Sequence, residues 1–281
     1  MPPCLFGPSE YQKFNGSKML KISRSGVEAF IKCKRCFVLP YKHKVRTPRL
    51  PFTLNIAIDN LCKNEFDHYR ELEEPHPIFI EYGIDAIPFS HPDLDTWRNN
   101  FKGIRYKNEE HGYNFGGAID DVWIKPTGEL IISDAKATSV NEFKWEDRSH
   151  HEYAKGYERQ IEMYQWLFRK NGFEVADEGY LTYYNGLKNE PMFNQSLKFE
   201  LHLIKLECND DWVGETVRKA VKLLASNSFP EASSNCDNCN YFLDLTEFAG
   251  ENVVMRFWAH YDNDHDTQGD GLYIDDLNIY K

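Results

Sequence analysis

The sequence predicts an α/β fold in which a central mixed β-sheet is flanked by helices, followed by a short β-rich tail. Two helical patterns come first, and alternating apolar residues then indicate a β-meander between residues 100 and 136. A long helical pattern, two further strands and a last helix complete the order. Helices that come before, between and after strands favour a sheet covered by helices.

The elements of the first half are predicted from caps and periodicity. Residues 1–20 read as a loose lead-in, because proline, glycine and serine occur there without a period. Ser23 or Ser25 can cap a helix that continues through "VEAFIKCKRCFVLPY". Residues 54–72 place apolar side chains, including Leu54 and Leu61, on one stripe, which predicts an amphipathic helix.

The second half has clear turn and cap signals. "KPTGE" is predicted as the turn of the meander, since proline and glycine favour turns. A long helix is predicted to end at Asn171 and Gly172. Strands are predicted at 178–186 and 197–207, and a helix at 210–226.

The composition indicates a globular protein with an uneven charge. The net charge is −11, but residues 241–281 alone hold nine acids and two bases. No apolar run approaches a membrane span, and no secretory signal is visible, so a cytoplasmic location is expected. An acid-free stretch, residues 29–58, can bind a polyanion, although a solvated basic face is the alternative. Its basic residues are Lys32, Lys34, Arg35, Lys42, Lys44, Arg46 and Arg49.

Two acidic positions are predicted to meet at the end of the meander. In "GELIISDAKATS", Asp134 and Lys136 point to one face of a strand, and Ala135 points to the other. A hairpin brings Asp120 near Asp134, and two close carboxylates repel unless a cation lies between them. Their oxygens suit Mg²⁺ or Mn²⁺, with the backbone carbonyl of Ala135 as a further ligand.

Three motifs in order carry a resemblance to a known family: Gly117-Ala-Ile-Asp120, Asp134-Ala-Lys136, and Tyr157-Glu-Arg-Gln160-Ile-Glu-Met-Tyr164. The set resembles the PD-(D/E)XK nuclease superfamily, and in particular its RecB-like branch, which includes CRISPR-associated exonucleases. The likeness covers roughly residues 20–241. It implies a restriction-endonuclease-like core at 21–240 that hydrolyses phosphodiester bonds of DNA, more as an exonuclease than as an endonuclease.

The resemblance also implies roles for individual residues. Asp120 and Asp134 would bind the metal, and Lys136 would be the catalytic lysine. Gln160 and Tyr164 would contact the DNA backbone or brace the site, and Tyr157 shares their helical face. The family often takes another ligand from the upstream helix, where Asp59 is the candidate and Glu65 the second choice.

Two cysteine pairs, "CKRC" (Cys33, Cys36) and "CDNC" (Cys236, Cys239), suggest four thiolates that close one structural site. Soft ligands select Zn²⁺ or an iron–sulfur cluster. Related exonucleases hold a 4Fe–4S cluster with one cysteine plus three, so the two-plus-two pattern leaves zinc open. Four unliganded thiols are the remaining alternative.

The tail, residues 241–281, resembles the last strands of a jelly-roll module of secreted peptidases. It offers too few strands to close a jelly roll, so docking, pairing with another chain and a fusion origin are alternatives. For the whole chain, the alternative to a nuclease is a catalytically silent nucleic-acid-binding scaffold. The resemblance is compatible with a helicase or a defence-system partner, in DNA repair or defence, without identifying one.

Overall fold

A computed structural model of the chain describes residues 19–45 and 53–240. Arg46, Arg49, the tail at 241–281 and all but the end of the lead-in lie outside the described residues, and so do the predictions made for them. The lead-in ends in a strand that starts at Leu20.

Within the described residues, the strands form two sheets. The three-stranded sheet has the order β1-β4-β3, and the five-stranded sheet has the order β2-β5-β6-β7-β8. Both sheets are mixed, because β1 pairs parallel with β4 and β6 parallel with β7, whereas the other pairs are antiparallel. The strands are β1 Leu20–Ser23, β2 Ile87–Pro88, β3 Ile104–Asn108, β4 Tyr113–Gly117, β5 Asp121–Ile124, β6 Leu130–Thr138, β7 Val175–Gly186 and β8 Phe199–Glu207.

The helices cover both faces of the five-stranded sheet. No helix among the described residues combines the length and the apolar character that a membrane crossing requires. A single π-helical turn at Leu39–His43 follows the second helix. The helices are α1 Arg24–Lys32, α2 Lys34–Val38, α3 Thr53–Leu72, α4 Pro77–Tyr82, α5 Leu94–Arg98, α6 Glu152–Lys170, α7 Asp211–Ala225 and α8 Asp237–Asn240.

Helix α6 joins the two sheets. It contacts β3 and β4 of the smaller sheet and β6 and β7 of the larger one, as well as α1 and α7. Ile161, Met163, Leu167 and Phe168 are fully buried along it. Because none of these apolar side chains is exposed to solvent, α6 lies at the centre of the main core rather than on the surface.

Strand β6 divides its side chains between two cores, as the alternation of a strand requires. Leu130 and Ile132 belong to the main core with α6. Ile131 belongs to a second core on the opposite face, where it packs with Phe66 of α3 and Trp123 of β5. By the same alternation, Asp134 and Lys136 face α6, whereas Ser133 and Ala135 face α3.

The predicted α/β fold with helices around a mixed sheet is confirmed, with three differences in detail. The meander is not continuous, because β4 already pairs on both edges and the chain leaves it for the larger sheet. The first helix is broken at Cys33, whose backbone is extended (φ −157°, ψ 112°). Leu54 and Leu61 are 61% and 67% exposed, since α3 buries only Cys62, Phe66 and Arg70.

Two glycines, Gly103 before β3 and Gly112 in the β3–β4 turn, have left-handed backbones and allow a matched test of one contact. Gly103 (φ +63°) lies so close to β4 that an added Cβ would meet the carbonyl oxygen of Gly117 at 2.3 Å. Gly112 (φ +65°) has no atom within 4 Å of that position. Only Gly103 therefore combines backbone strain with a steric clash.

We expect Gly112→Ala to lower the free energy of unfolding by about 1 kcal/mol, the cost of a left-handed alanine. Gly103→Ala should lower it by a further ~1–3 kcal/mol, because backbone atoms must move to admit the methyl group. Urea denaturation followed by tryptophan fluorescence measures both losses. Equal losses in the two variants would show that the close approach to β4 does not constrain the hairpin.

Candidate active site

Asp134 and Lys136 form a largely buried ion pair in the second half of β6, on the face that meets α6, and the strand continues beyond them to Thr138. Lys136 Nζ contacts Asp134 Oδ2. Gln160 of α6 donates a hydrogen bond from Nε2 to Asp134 Oδ1 (2.6 Å) and accepts one from Lys136 Nζ at Oε1 (3.4 Å). The amide of Gln160 therefore fixes both charged groups.

Burial and charge act in opposite directions on this pair. Burial raises the pKa of the Asp134 carboxyl to about 6, although Lys136 favours its ionised form. For Lys136, burial disfavours the ammonium, but Asp134 and Asp120 outweigh it and raise the pKa above its usual range. The lysine therefore stays positively charged beside two carboxyl groups.

Asp120 lies next to this pair, as the predicted hairpin requires. The β5–β6 register pairs Asp121 with Ser133. Asp120 Oδ2 accepts a hydrogen bond from the backbone N–H of Ala135 (2.9 Å). The structure thus brings together Asp120, Asp134, Ala135 and Lys136.

The predicted face of α6 also points at the site. The Lys136 ammonium lies 4.4 Å from the ring centroid of Tyr157, a cation–π contact. Gln160 Nε2 lies 3.4 Å from the hydroxyl oxygen of Tyr164. Tyr164 is 2% exposed, so its hydroxyl acts inside the site rather than on the surface.

Arg24, the first residue of α1, is a site residue that the sequence reasoning missed. Burial disfavours its guanidinium charge, but the neighbouring Tyr164 hydroxyl and Asp134 carboxylate outweigh burial and raise the pKa of Arg24. An added Cβ on Gly117 would come within 2.9 Å of the Tyr164 ring and 3.0 Å of Arg24 Cβ. The glycine of the G-x-x-D motif therefore leaves room for these two side chains. The available signal was a basic residue directly after the Ser23 cap.

Helix α3 lines the other side of the site. Asp59, Cys62 and Lys63 share a cleft with Asp120 and Ala135. Lys63, which the sequence reasoning also missed, lies between Asp59 Oδ2 (2.7 Å) and Asp120 Oδ1 (3.6 Å). The Oε1 atom of Glu65, the second-choice ligand, lies 3.4 Å from Nε2 of His76.

The donor set fits a hard divalent cation. Asp120, Asp134 and the carbonyl of Ala135 offer oxygen atoms only, which are the ligands of Mg²⁺ and Mn²⁺. Asp120 Oδ1 accepts no backbone hydrogen bond in the described structure and faces the cleft. These residues can hold one divalent ion beside β6.

A profile of the PD-(D/E)XK nuclease superfamily matches residues 57–242, about two thirds of the chain. This chain belongs to the PD-(D/E)XK nuclease superfamily. The match includes most of α3, the strands β5 and β6 and helix α6, and it confirms the resemblance that the three motifs indicate. Members of the superfamily act on nucleic acids and generally use divalent metals.

Two solved structures are similar to this PD-(D/E)XK nuclease at low identity. One is a phage related exonuclease from Haemophilus somnus 129PT, with TM-score 0.39 and 14% identity, covering 75% of this chain and 95% of that chain. The other is SSO0001, with TM-score 0.33 and 14% identity, covering 72% of this chain and 76% of that chain. A search of curated protein sequences found no match.

The four predicted cysteines of this nuclease come together. The Sγ atoms of Cys33, Cys36, Cys236 and Cys239 all lie within 4.8 Å of one another, and they form a group that could hold a metal ion. The measured separations include 3.4 Å from Cys36 to Cys236 and 3.7 Å from Cys33 to Cys239. Burial disfavours the Cys33 thiolate, but hydrogen bonds to it, including one from the Ser233 N–H, lower its pKa to about 6. The cluster connects the α1–α2 junction to α8.

The basic strip divides into internal and exposed cations. Lys42 Nζ donates hydrogen bonds to the carbonyl oxygens of Leu223 and Ser226, which end α7. Arg35 Nε donates to the Pro230 carbonyl oxygen (3.2 Å). Lys34 and Lys44 are exposed, and Lys32, also exposed, pairs with Glu28. The structure thus uses part of the strip to attach the C-terminal segment, whereas Arg46 lies outside the described residues.

Asp121, adjacent to Asp120, has a different environment from its neighbour. It faces Arg70 and Arg98, and all three side chains are less than 10% exposed. Burial raises the pKa of Asp121 even though both arginines favour its charge. This arrangement is a buried ion network that joins β5 to α3 and α5.

We expect Asp121→Ala to lower the free energy of unfolding by about 3–5 kcal/mol, because the two buried arginines are left with a single carboxylate, Asp67, between them. Asp177→Ala is the matched control, since Asp177 is 90% exposed and pairs with Arg169. That change should cost less than about 1 kcal/mol. Guanidinium denaturation measures both, and similar losses in the two variants would exclude a structural role for the network.

Proposed function

We propose that this nuclease hydrolyses DNA phosphodiester bonds with one Mg²⁺ or Mn²⁺ ion, acting from strand ends as an exonuclease. The observation that carries the proposal is the buried arrangement of Asp134, Lys136 and Gln160 beside Asp120. The exonucleolytic part rests on the RecB-like order of the motifs. A role in DNA repair or defence is consistent with that branch.

Asp120, Asp134 and the Ala135 carbonyl would hold the ion. When bound, such an ion lowers the pKa of a coordinated water and stabilises charge on the phosphate. Gln160 keeps Asp134 and Lys136 in one orientation, which is the preorganisation that catalysis requires. The ammonium of Lys136 places a fixed positive charge where negative charge develops on the phosphate oxygens.

In this proposal some flanking residues brace the site and others bind the DNA. The buried Tyr164 and Arg24 brace Gln160 and Asp134, whereas the half-buried Tyr157 can contact the DNA. Lys32, Lys34 and Lys44 are exposed and can contact backbone phosphates farther from the cleavage point.

We expect Lys136→Ala to lower the DNA cleavage rate at least ~100-fold, because the fixed charge at the transition state is lost. Asp134→Asn should do the same while keeping the shape of the side chain. End-labelled linear DNA, single- and double-stranded, is incubated with Mg²⁺, Mn²⁺ or chelator, beside closed circular DNA of the same sequence. Products should need metal, and circular DNA should persist because it has no ends.

The matched control is Lys144→Ala, which removes an exposed lysine paired with Glu142 and should leave cleavage unchanged. Circular dichroism confirms that each variant is folded. Wild-type cleavage rates in Lys136→Ala would refute the catalytic assignment. Binding of DNA without any metal-dependent product would instead favour the silent scaffold. Cleavage of circular DNA would replace the exonuclease with an endonuclease.

We further propose that the four cysteines bind one Zn²⁺ ion. Four thiolates around one tetrahedral zinc, with Zn–S of about 2.3 Å, are about 3.8 Å apart. All Sγ–Sγ separations in the cluster are within 4.8 Å, and three of them, 3.4, 3.4 and 3.7 Å, are close to this spacing. In an iron–sulfur cube, each thiolate binds a different iron atom, so the sulfur atoms lie farther apart.

Purified protein should contain about one zinc ion per chain and no visible absorption from an iron–sulfur cluster. Cys36→Ser should lose the zinc and lower the melting temperature, because metal binding stabilises the folded state. Cys208→Ser is the control, as Cys208 lies outside the cluster, and it should retain zinc. Elemental analysis with anaerobic purification tests this, and stoichiometric iron with sulfide would overturn it.

A further inference from the structure

The α3 side of the site contains a lysine that the proposed reaction does not use. Lys63 Nζ lies 2.7 Å from Asp59 Oδ2 and 3.6 Å from Asp120 Oδ1. The two carboxylates come from different parts of the chain, one on α3 and one just before β5. A cation therefore bridges the helix and the sheet at this point.

This contact differs from a surface pair of the same spacing. Lys219 and Glu215 are also an i,i+4 pair on a helix, but their side chains are 64% and 62% exposed. The Lys63 side chain is 20% exposed and lines the cleft with Cys62, Phe66 and Asp120. Lysine is an ammonium at neutral pH, so a positive charge is held inside the cleft.

The two carboxylate oxygens of Asp120 contact different partners. Oδ2 accepts the Ala135 N–H, whereas Oδ1 faces Lys63. In nucleases with two metals, the ions lie about 3.5–4 Å apart. Asp59 and Asp120 are carboxylates of this cleft, and both face the lysine.

We propose that Lys63 occupies the place of a second metal ion and limits this nuclease to one divalent cation. Asp59 then is the partner of Lys63 and not a metal ligand. The inference rests on the proposed metal-dependent function, since it concerns the same carboxylates. It predicts how many ions bind, which cleavage assays alone do not show.

The count of bound ions tests the proposal directly. The full-length protein, with its cysteine cluster saturated with Zn²⁺, is titrated with Mn²⁺, and free Mn²⁺ is measured by electron paramagnetic resonance. Wild type should bind one Mn²⁺ per chain. Lys63→Met keeps the length of the side chain without its charge and should bind two. Lys63→Arg and the surface control Lys219→Met should both bind one.

Asp59→Asn is a second test that does not depend on the folding of the lysine variant. If Asp59 acts only through Lys63, the affinity for the single Mn²⁺ should fall by no more than ~100-fold, the upper end of the loss typical of a removed outer-shell contact. A larger loss would mark Asp59 as a direct ligand and overturn the inference. Circular dichroism is recorded for every variant.

The remaining outcomes separate this inference from the proposed function. Wild type and Lys63→Met that both bind one Mn²⁺ overturn the role of Lys63 but leave the one-ion nuclease intact. A wild type that binds two ions also overturns it. A wild type that binds none overturns the metal-dependent function and the inference together.

Discussion

The burial of α6 between two separate sheets is the constraint on which the rest of the structure depends. The helix contacts strands of both sheets, so its side chains must satisfy two packing surfaces at once. Its central residues are apolar and fully buried, whereas Gln160 and Tyr164 use the same helix to reach Asp134 and Arg24. Since a buried helix cannot rotate without disturbing both sheets, Gln160 is held next to Asp134 and Lys136 of β6. The position of the polar site is thus determined by apolar packing.

The second general feature is that each of three carboxylates at the site lies against at least one cation. Asp134 meets Lys136, Asp120 meets Lys63, and Asp121 meets Arg70 and Arg98. A buried carboxylate without a partner would cost several kcal/mol. The partners also distinguish the acids, because Asp121 faces two arginines, whereas Asp120 Oδ1 faces Lys63 in the cleft and Asp134 pairs with Lys136 on the α6 side of β6. Adjacent residues of one motif can therefore serve folding and chemistry separately.

Local geometry explains which parts could be predicted from the sequence. Strand alternation places Asp134 and Lys136 on one face, and the helical repeat places Tyr157, Gln160 and Tyr164 on one side of α6. The sheet to which each strand of the meander belongs could not be predicted, because an alternating apolar pattern does not indicate which sheet a strand joins. Arg24 and Lys63 were missed since their roles arise from contacts between distant segments. The exposed Leu54 and Leu61 show that an apolar stripe can be longer than the surface that covers it.

The cysteine cluster has a consequence for the order in which the protein is made. Cys33 and Cys239 are 206 residues apart, so the cluster closes a loop that contains every described strand except β1. The entropic cost of closing so long a loop is moderate, because each doubling of the loop length adds only about 0.6 kcal/mol. During translation, however, Cys236 and Cys239 emerge from the ribosome after all the described strands. With the proposed zinc, ligation would therefore be a late step, and a chain that terminates before Cys236 would lack the link between α8 and the α1–α2 junction.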